Sequence, residues 1–309
     1  MSDSLQDSRT EFRQPRHALK PQAFALEAAE QWALAKASNL SAELFRLSSF
    51  WYIDWFIQHL PTDRKTRYTA RLAQSENYGI ACALSSGLHD SDHAVAIREG
   101  DDALVGDDSR EVLKTRRYRT DMDRTALIDL VFGHLSAAPN DQVIVDQARR
   151  DKYLHKSRIF VDEADVVLKR KGLGAIKGSR PHIHVIGAMA GTHAALIGRG
   201  FKVSATDMSP DVVGQNLGGV TVCDGTDNGK FLEAADLVII TGMTFPNGTL
   251  PGLIEAAKIA NTSTMIWAVT GRNLGHYYTT HGIDCVISDP APFLQLPGPA
   301  SIGIWRRES

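Results

Sequence analysis

The feature that most constrains the fold is a series of short apolar segments between residue 180 and the end of the chain. Each is followed by a stretch with helical spacing, and the six segments are residues 182–187, 202–207, 219–224, 236–242, 263–270 and 284–288. Strands that alternate with helices predict βαβ units and a parallel sheet. Right-handed crossovers then favour a doubly wound α/β sheet in the order 3-2-1-4-5-6, with residues 301–307 as an additional edge strand.

This pattern divides the chain into three parts. Residues 1–20 are expected to form a disordered arm. Residues 21–178 are expected to form an N-terminal helical and α+β domain that can serve as a lid, and residues 179–309 a Rossmann-like ligand-binding domain. The elements predicted within the N-terminal domain are a helix over 24–37, a second helix that starts at Ser41 and holds the aromatic-rich segment 45–56, a strand over 78–86 paired with 93–99, and a helix over 126–138.

Composition excludes several classes of function. The net charge is −2, and basic and acidic residues are spread over both halves, so nucleic acid and anionic membrane surfaces are not expected partners. The sequence has no apolar run long enough to span a membrane and no signal-peptide core at its start, which predicts a cytoplasmic protein. The three cysteines have no metal-binding spacing. We therefore expect a small-molecule substrate, no structural metal and a homodimer.

Ligands of such a sheet bind beyond the carboxyl ends of its strands, near the switch between the first and fourth strands. The residues that follow the first four predicted strands are therefore the predicted cofactor-binding set, and they are Gly187, Ala188, Met189, Gly191, Asp207, Met208, Asp224, Gly225, Thr241, Gly242, Met243 and Thr244.

The first loop argues against a dinucleotide. The GxGxxG pattern is broken because Met189 and Thr192 stand at its second and third glycine positions. Asp207 nevertheless lies where a ribose-binding acid belongs, so a nucleoside without pyrophosphate, such as S-adenosylmethionine, reconciles the two observations. The segment VSATDMSPDVV resembles the second motif of class I methyltransferases. That resemblance implies ribose binding by Asp207 and adenine binding by Asp224, whereas the alternative is that Asp207 only caps the helix starting at Ser209.

The fourth strand and its turn carry a second resemblance. The segment ADLVIITGMTFPNGTLPGLIEAAK is similar to the Rossmann-like domain family to which heavy-metal chelation has been ascribed, and the similarity covers about residues 180–290. The Asn247 side chain and backbone N–H groups at this helix start could cradle a carboxylate. The alternative is a tight turn at Asn247-Gly248 with Thr249 as helix cap.

No motif for a serine hydrolase, a zinc protease or a P-loop is present. His182 and His184 share one face of a strand and could bind a metal, but such histidines more often pack within a sheet. The layout resembles bacterial synthases that close a ring within S-adenosylmethionine, which implies attack of the amine on the γ-carbon and release of methylthioadenosine. This route gives azetidine-2-carboxylate. The carbon route to 1-aminocyclopropane-1-carboxylate ranks lower because no pyridoxal phosphate motif is found.

Such a cyclisation needs a base and an aromatic face for the sulfonium. The predicted catalytic residues are Tyr78, Tyr153 and Asn247, and the further aromatic candidates are Trp51, Trp55 and Phe245. Two alternatives stay open. One is a methyltransferase that acts on a small acceptor, and the other is a metal- or metallophore-binding protein.

Overall fold

The computed structural model describes residues 19–59, 64–85, 95–98, 102–145, 149–173, 180–289 and 299–308. Within these residues the chain forms a four-stranded antiparallel sheet and a nine-stranded, mostly parallel sheet. We refer to them as the small sheet and the large sheet. Of the predicted disordered arm, residues 1–18 lie outside the described part of the chain.

The first part of the chain builds the small sheet and the helices packed on it. Its elements in chain order are α1 (Leu26–Ala37), β1 (Ser49–His59), β2 (Arg64–Gln74), β3 (Tyr78–Ser85), β4 (Val95–Arg98), α2 (Ser109–Lys114) and α3 (Asp121–Leu135). The strand order is β3-β2-β1-β4. Helix α3 lies directly on β3, because a Cβ at Gly79 would be 2.1 Å from the carbonyl oxygen of Ala126.

Two predictions for this part are wrong. The aromatic-rich segment is not a helix: only a short 3₁₀ turn follows Ser41, and the aromatic residues continue into β1. Phe50 is buried and Trp51 is 38% exposed, which is the alternation of a strand with one face in the core. Strands β3 and β4 are also not partners, since they lie at opposite edges of the sheet with the long β1–β2 pair between them.

The second part of the chain builds the large sheet. Its elements in chain order are β5 (Asp141–Val145), α4 (Arg149–Arg170), β6 (His182–Ile186), α5 (Ala190–Arg199), β7 (Lys202–Asp207), β8 (Asn216–Leu217), β9 (Val220–Asp224), α6 (Asn228–Ala234), β10 (Leu237–Thr241), α7 (Leu250–Ile259), β11 (Ser263–Ala268), α8 (Gly275–Thr280), β12 (Cys285–Ser288) and β13 (Ala300–Arg306).

The predicted order of the six parallel strands is confirmed. They run β9-β7-β6-β10-β11-β12, and β13 pairs antiparallel with β12 as the predicted additional strand. Its predicted edge position is wrong, because β5 pairs with its other side and forms the edge. Strand β5 thus belongs to the large sheet, although its residues fall within the predicted N-terminal domain.

The parallel strands are buried on both faces, which explains why they read as continuous apolar runs. In β10, Leu237 and Ile239 face a core that includes α4 and α5, whereas Val238 and Ile240 face a core that includes α6, α7 and α8. The latter core also contains residues of α1 and α3. The small-sheet part and one face of the large sheet therefore share one apolar core. Among the described residues, no helix combines the length and apolarity that crossing a membrane would require.

Candidate functional site

The candidate site lies at the carboxyl edge of the large sheet, where loops approach each other through glycine. Gly187 follows β6 with a φ of +96°, and a Cβ there would be 2.9 Å from Cγ2 of Thr241. Gly242 follows β10, and a Cβ there would be 2.3 Å from the carbonyl oxygen of Thr270. The loops after β6, β10 and β11 are thus in contact, as predicted from the topology.

Asp207 ties the loop after β6 to the loop after β7. One carboxylate oxygen, Oδ2, accepts a hydrogen bond from the backbone N–H of Ala188 at 2.8 Å, and Oδ1 accepts one from Ser209 at 2.8 Å. The predicted helix at Ser209 is wrong, because residues 210–214 form turns, and Asp207 caps the start of this turn instead. A carboxylate has about four acceptor positions, so these contacts leave about two for further donors.

Asp224 is the register partner of Asp207 on the neighbouring strand β9. Its Oδ1 accepts hydrogen bonds from the backbone N–H and the hydroxyl of Thr226, and these bonds lower the pKa of the exposed Asp224 carboxyl. Met208 lies beside this pair and is 63% exposed. Its Sδ is 2.6 Å from the position of a Cβ at Gly225, so only glycine allows this placement. The two carboxylates and the thioether form one accessible surface.

At the amino end of α5, one backbone N–H group is bonded within the protein. The backbone N–H of Met189 donates to Nε2 of His193, and Nδ1–H of His193 donates to the carbonyl of Leu217 at 2.9 Å. Burial lowers the pKa of His193, which keeps the ring neutral and able to accept. A Cβ at Gly218 would be 2.0 Å from the carbonyl oxygen of Ala190, so the β8 turn lies on the first turn of α5.

In the turn after β10, the predicted residues satisfy each other. The hydroxyl of Thr244 donates to the carbonyl of Thr241 at 2.7 Å. Asn247 is exposed, and its Oδ1 accepts hydrogen bonds from both the backbone N–H and the hydroxyl of Thr249. These contacts fit the tight-turn alternative, because the Asn247 oxygen orients its side chain within the turn. Thr249 stands at the N-cap position of α7, but its side chain makes no capping hydrogen bond.

Tyr78 reaches the candidate site from the small sheet. Together with Met243 and Val269, it packs against a small apolar cluster of Ala70, Leu72 and Ile80. The structure thus brings together a predicted catalytic residue and a predicted cofactor-binding residue that are far apart in sequence.

The other predicted aromatic residues lie elsewhere. Phe245 is buried in the core beside Tyr278, and Trp51 lies on β1. The side chains of Tyr153 and Trp55 are outside the described part of the structure.

Sequence reasoning missed a charged group at the same edge. Lys156 of α4 forms an ion pair with Asp289 at 2.7 Å, directly after β12, and both side chains are buried. Trp267 of β11 donates its ring N–H to the same carboxylate oxygen, and the Lys156 ammonium lies 4.5 Å from the Trp267 ring centroid. Arg272 lies in the loop after β11, with its guanidinium carbon 4.4 Å from the centroid of the Tyr78 ring. The sequence signal that could have indicated this site is Asp289 itself, a polar residue directly after a predicted strand.

Asp129 fixes the loop that carries Arg272. This fully buried residue of α3 accepts hydrogen bonds from the backbone N–H of Ile80 at 2.9 Å and of Asn273 at 2.7 Å, and a further one from the backbone of Arg272. Burial raises the pKa of Asp129 to about 8, against the opposite effect of these hydrogen bonds. One carboxyl group therefore joins α3, β3 and the loop after β11.

His182 and His184 belong to a hydrogen-bonded row that begins at the amino end of β6 and runs along the strand to Thr206 and Asn228. The hydroxyl of Ser204 lies 2.8 Å from Nε2 of His182 and 2.9 Å from Nδ1 of His184. The His184 ring stacks on Phe231, and burial lowers its pKa to about 4. Among the described residues, no group of three or more His, Cys, Asp or Glu side chains is arranged to hold a metal.

The fold and these contacts define a mixed α/β protein with a large, mostly parallel sheet. Residues 176–269 match the model of the DUF364 family, whose description is "Putative heavy-metal chelation". Two similar solved structures are DUF364 proteins of unknown function. One, from Pyrococcus horikoshii, is 12% identical over 91% of this chain and 99% of that chain, with a TM-score of 0.49. The other, from Desulfitobacterium hafniense, is 11% identical over 91% and 98%, with a TM-score of 0.47. No curated protein matches the sequence.

Proposed function

We propose that this protein is an enzyme that binds S-adenosylmethionine at the carboxyl edge of a Rossmann-like sheet and cyclises it to azetidine-2-carboxylate. The observation that carries the proposal is the register pairing of Asp207 and Asp224, with the exposed Met208 beside them. An adenosyl group presents ribose hydroxyls and an exocyclic amine as donors on either side of an apolar purine. Two carboxylates on adjacent strands, about 4.8 Å apart at the backbone, complement that pattern.

The use of one backbone N–H at the amino end of α5 supports a nucleoside ligand over a dinucleotide. A pyrophosphate needs free backbone N–H groups at this position. Here the N–H of Met189 is bonded to His193, and the turn at Gly218 covers Ala190. An adenosyl ligand without phosphate requires neither group.

The proposed reaction depends mainly on positioning. Attack of the methionyl nitrogen on the γ-carbon forms the N–Cγ bond and breaks the Cγ–S bond. The sulfonium leaves as neutral methylthioadenosine, and the proton lost from the ammonium passes to a base. Holding the chain folded provides the entropic part of the rate enhancement. Of the three residues predicted to be catalytic, Tyr78 is the one whose described side chain packs at this edge, and its ring is suited to contact the sulfonium.

The proposal is tested by binding and by turnover. The wild-type protein is titrated calorimetrically with S-adenosylmethionine, methylthioadenosine and adenosine, and its products from S-adenosylmethionine alone are followed by mass spectrometry. We expect binding of all three compounds, and methylthioadenosine and azetidine-2-carboxylate above the spontaneous background. Turnover only with an added acceptor would favour a methyltransferase. Absence of adenosyl binding, with binding of a transition metal, would favour the metal-binding alternative.

The substitution Asp224→Asn tests the adenine contact. It keeps an oxygen for Thr226 but replaces the second oxygen, which would accept from the adenine amine, by a donor. We expect adenosine binding to weaken roughly tenfold. The matched control is Asp227→Asn, on the same turn, where the carboxylate contacts Lys230 instead. Equal binding by both variants would contradict the assignment of Asp224. Gel filtration of the same preparations tests the expected homodimer.

A further inference from the structure

Arg272 differs from the buried arginines of this protein in having no carboxylate partner. The residue is half-buried, but its Nε and Nη1 atoms are enclosed and have no hydrogen-bond partner within the described structure. The buried arginines have carboxylate partners, in the pairs Arg71–Asp123, Arg110–Asp108 and Arg124–Glu30, although Nη1 of Arg71 is also without a hydrogen bond. For Arg272, the described residues provide no ion pair. A desolvated cation without such a partner is costly, so a structure that maintains one provides a place for an anion.

The surroundings hold the Arg272 guanidinium in place. The ring of Tyr78 supports it on one side at 4.4 Å. Its own backbone is fixed by Asp129, and the neighbouring Asn273 donates from its side chain to the carbonyl of Tyr78 at 2.8 Å. A preorganised guanidinium loses little conformational entropy when it binds a planar carboxylate with two hydrogen bonds.

The nearby acidic residue does not neutralise this arginine. Asp289 directs Oδ2 at the ammonium of Lys156 and the ring N–H of Trp267. Burial lowers the pKa of Arg272 to about 10, and the attraction of Asp289 only partly opposes this effect. The guanidinium remains charged at neutral pH and would gain from a bound anion.

We infer that Arg272 binds the carboxylate of the small-molecule ligand. This assignment rests on the proposed function for the identity of the ligand. If the ligand is S-adenosylmethionine, the group that Arg272 binds is its methionyl carboxylate. Strands β7 and β11 are three positions apart in the sheet, so Asp207 and the start of the Arg272 loop are separated by about 14 Å at the backbone. A ligand held at both points would therefore lie across the ends of β6 and β10.

The test compares two ligands that differ by the amino acid group. Wild type, Arg272→Gln and Arg272→Lys are titrated with S-adenosylmethionine and with methylthioadenosine, which has no carboxylate. We expect Arg272→Gln to weaken S-adenosylmethionine binding at least tenfold and to leave methylthioadenosine binding unchanged, while Arg272→Lys recovers part of the loss. The control is Arg199→Gln, which removes the same charge from the far end of α5, where Arg199 pairs with Asp165. Equal weakening of both ligands by Arg272→Gln, or of neither, would overturn the assignment.

A second arm separates this inference from the proposed function. If the wild type binds neither adenosyl compound, the proposed function fails, and the anion site is examined alone. Melting temperatures are measured with malonate and with inorganic phosphate, against sodium chloride at matched ionic strength. Stabilisation of the wild type by malonate that is lost in Arg272→Gln and retained in Arg199→Gln would support a carboxylate site. The same pattern with phosphate alone would replace carboxylate by phosphate as the ligand group. No anion-specific stabilisation of the wild type would overturn the inference.

Discussion

The substitution Asp129→Ala tests whether one buried carboxyl group holds the small sheet against the edge of the large sheet. The side chain accepts from the backbone N–H groups of Ile80, Asn273 and Arg272, and all its surroundings are protein. Removing it leaves three donors without this acceptor. A buried donor without a partner costs about 1–3 kcal/mol, so the free energy of unfolding should fall by about 3–9 kcal/mol for three donors, and by less if water enters the space.

Urea unfolding followed by tryptophan fluorescence and by circular dichroism measures this change. The control is Asp121→Ala, in the first turn of the same helix, where the side chain is exposed and the loss should be below about 1 kcal/mol. A loss below about 1 kcal/mol for Asp129→Ala as well would refute the reasoning, because the three backbone groups would then be satisfied without the carboxyl group.

The pH dependence of the same residue gives an independent readout. The pKa of Asp129 is about 8 in the folded protein, against an ordinary value of 3.8. The folded state then binds the proton more tightly than the unfolded state, so this residue makes the free energy of unfolding fall as pH rises from about 4 to about 8. Asp129→Asn should remove that contribution, and urea midpoints from pH 5 to pH 9 measure the slope. Parallel slopes for wild type and variant would show that hydrogen bonding, rather than burial, sets this pKa.

Three further predictions concern packing and charge. Gly79→Ala should lower the free energy of unfolding in urea by more than about 2 kcal/mol, since its Cβ would meet backbone atoms of α3. The control Gly252→Ala has open space for its Cβ and should be neutral or stabilising, and equal effects of the two changes would contradict the close packing. Lys156→Met should leave the buried Asp289 carboxylate without its ammonium partner and lower the free energy of unfolding by about 3–5 kcal/mol. If the unpaired charge causes this loss, adding Asp289→Asn to the same protein should restore part of the stability. His184, with its pKa lowered to about 4, should lose stability as pH falls from about 6.5 to about 4, and a melting profile of His184→Asn unchanged from wild type in that range would contradict this.

The large sheet could be predicted because its strands are buried on both faces. The segment LVIIT, for example, is apolar up to its last residue, and polar or glycine residues follow it. Strand β2, RKTRYTARLAQ, is rich in charged and polar residues, so its sequence does not indicate a buried strand. Without β2, the sequence favours β4 as the partner of β3, whereas β3 pairs with β2.

Part of the candidate site could be predicted for the same topological reason. Asp207, Asp224 and Thr241 end strands whose order is predictable, so their common edge follows from the fold. Lys156 and Asp289 are 133 residues apart, and nothing local in either segment indicates that they meet. Arg272 could not be predicted either. It stands out because two of its nitrogens have no hydrogen-bond partner, and only the three-dimensional structure reveals this.

The shared core also bears on how a ligand reaches this edge. A lid formed by the whole N-terminal part would have to separate α3 from the loop after β11 each time it opened. That movement would break the hydrogen bond from Asn273 to Asp129 and the contacts of Trp32 and Phe132 with Tyr277. Exposing such a core on every cycle costs a large share of the stability of a domain. Local movement of the exposed turns at Met208 and Asn247 requires no such loss, so we expect ligand entry past these turns while the small sheet stays fixed on the large one.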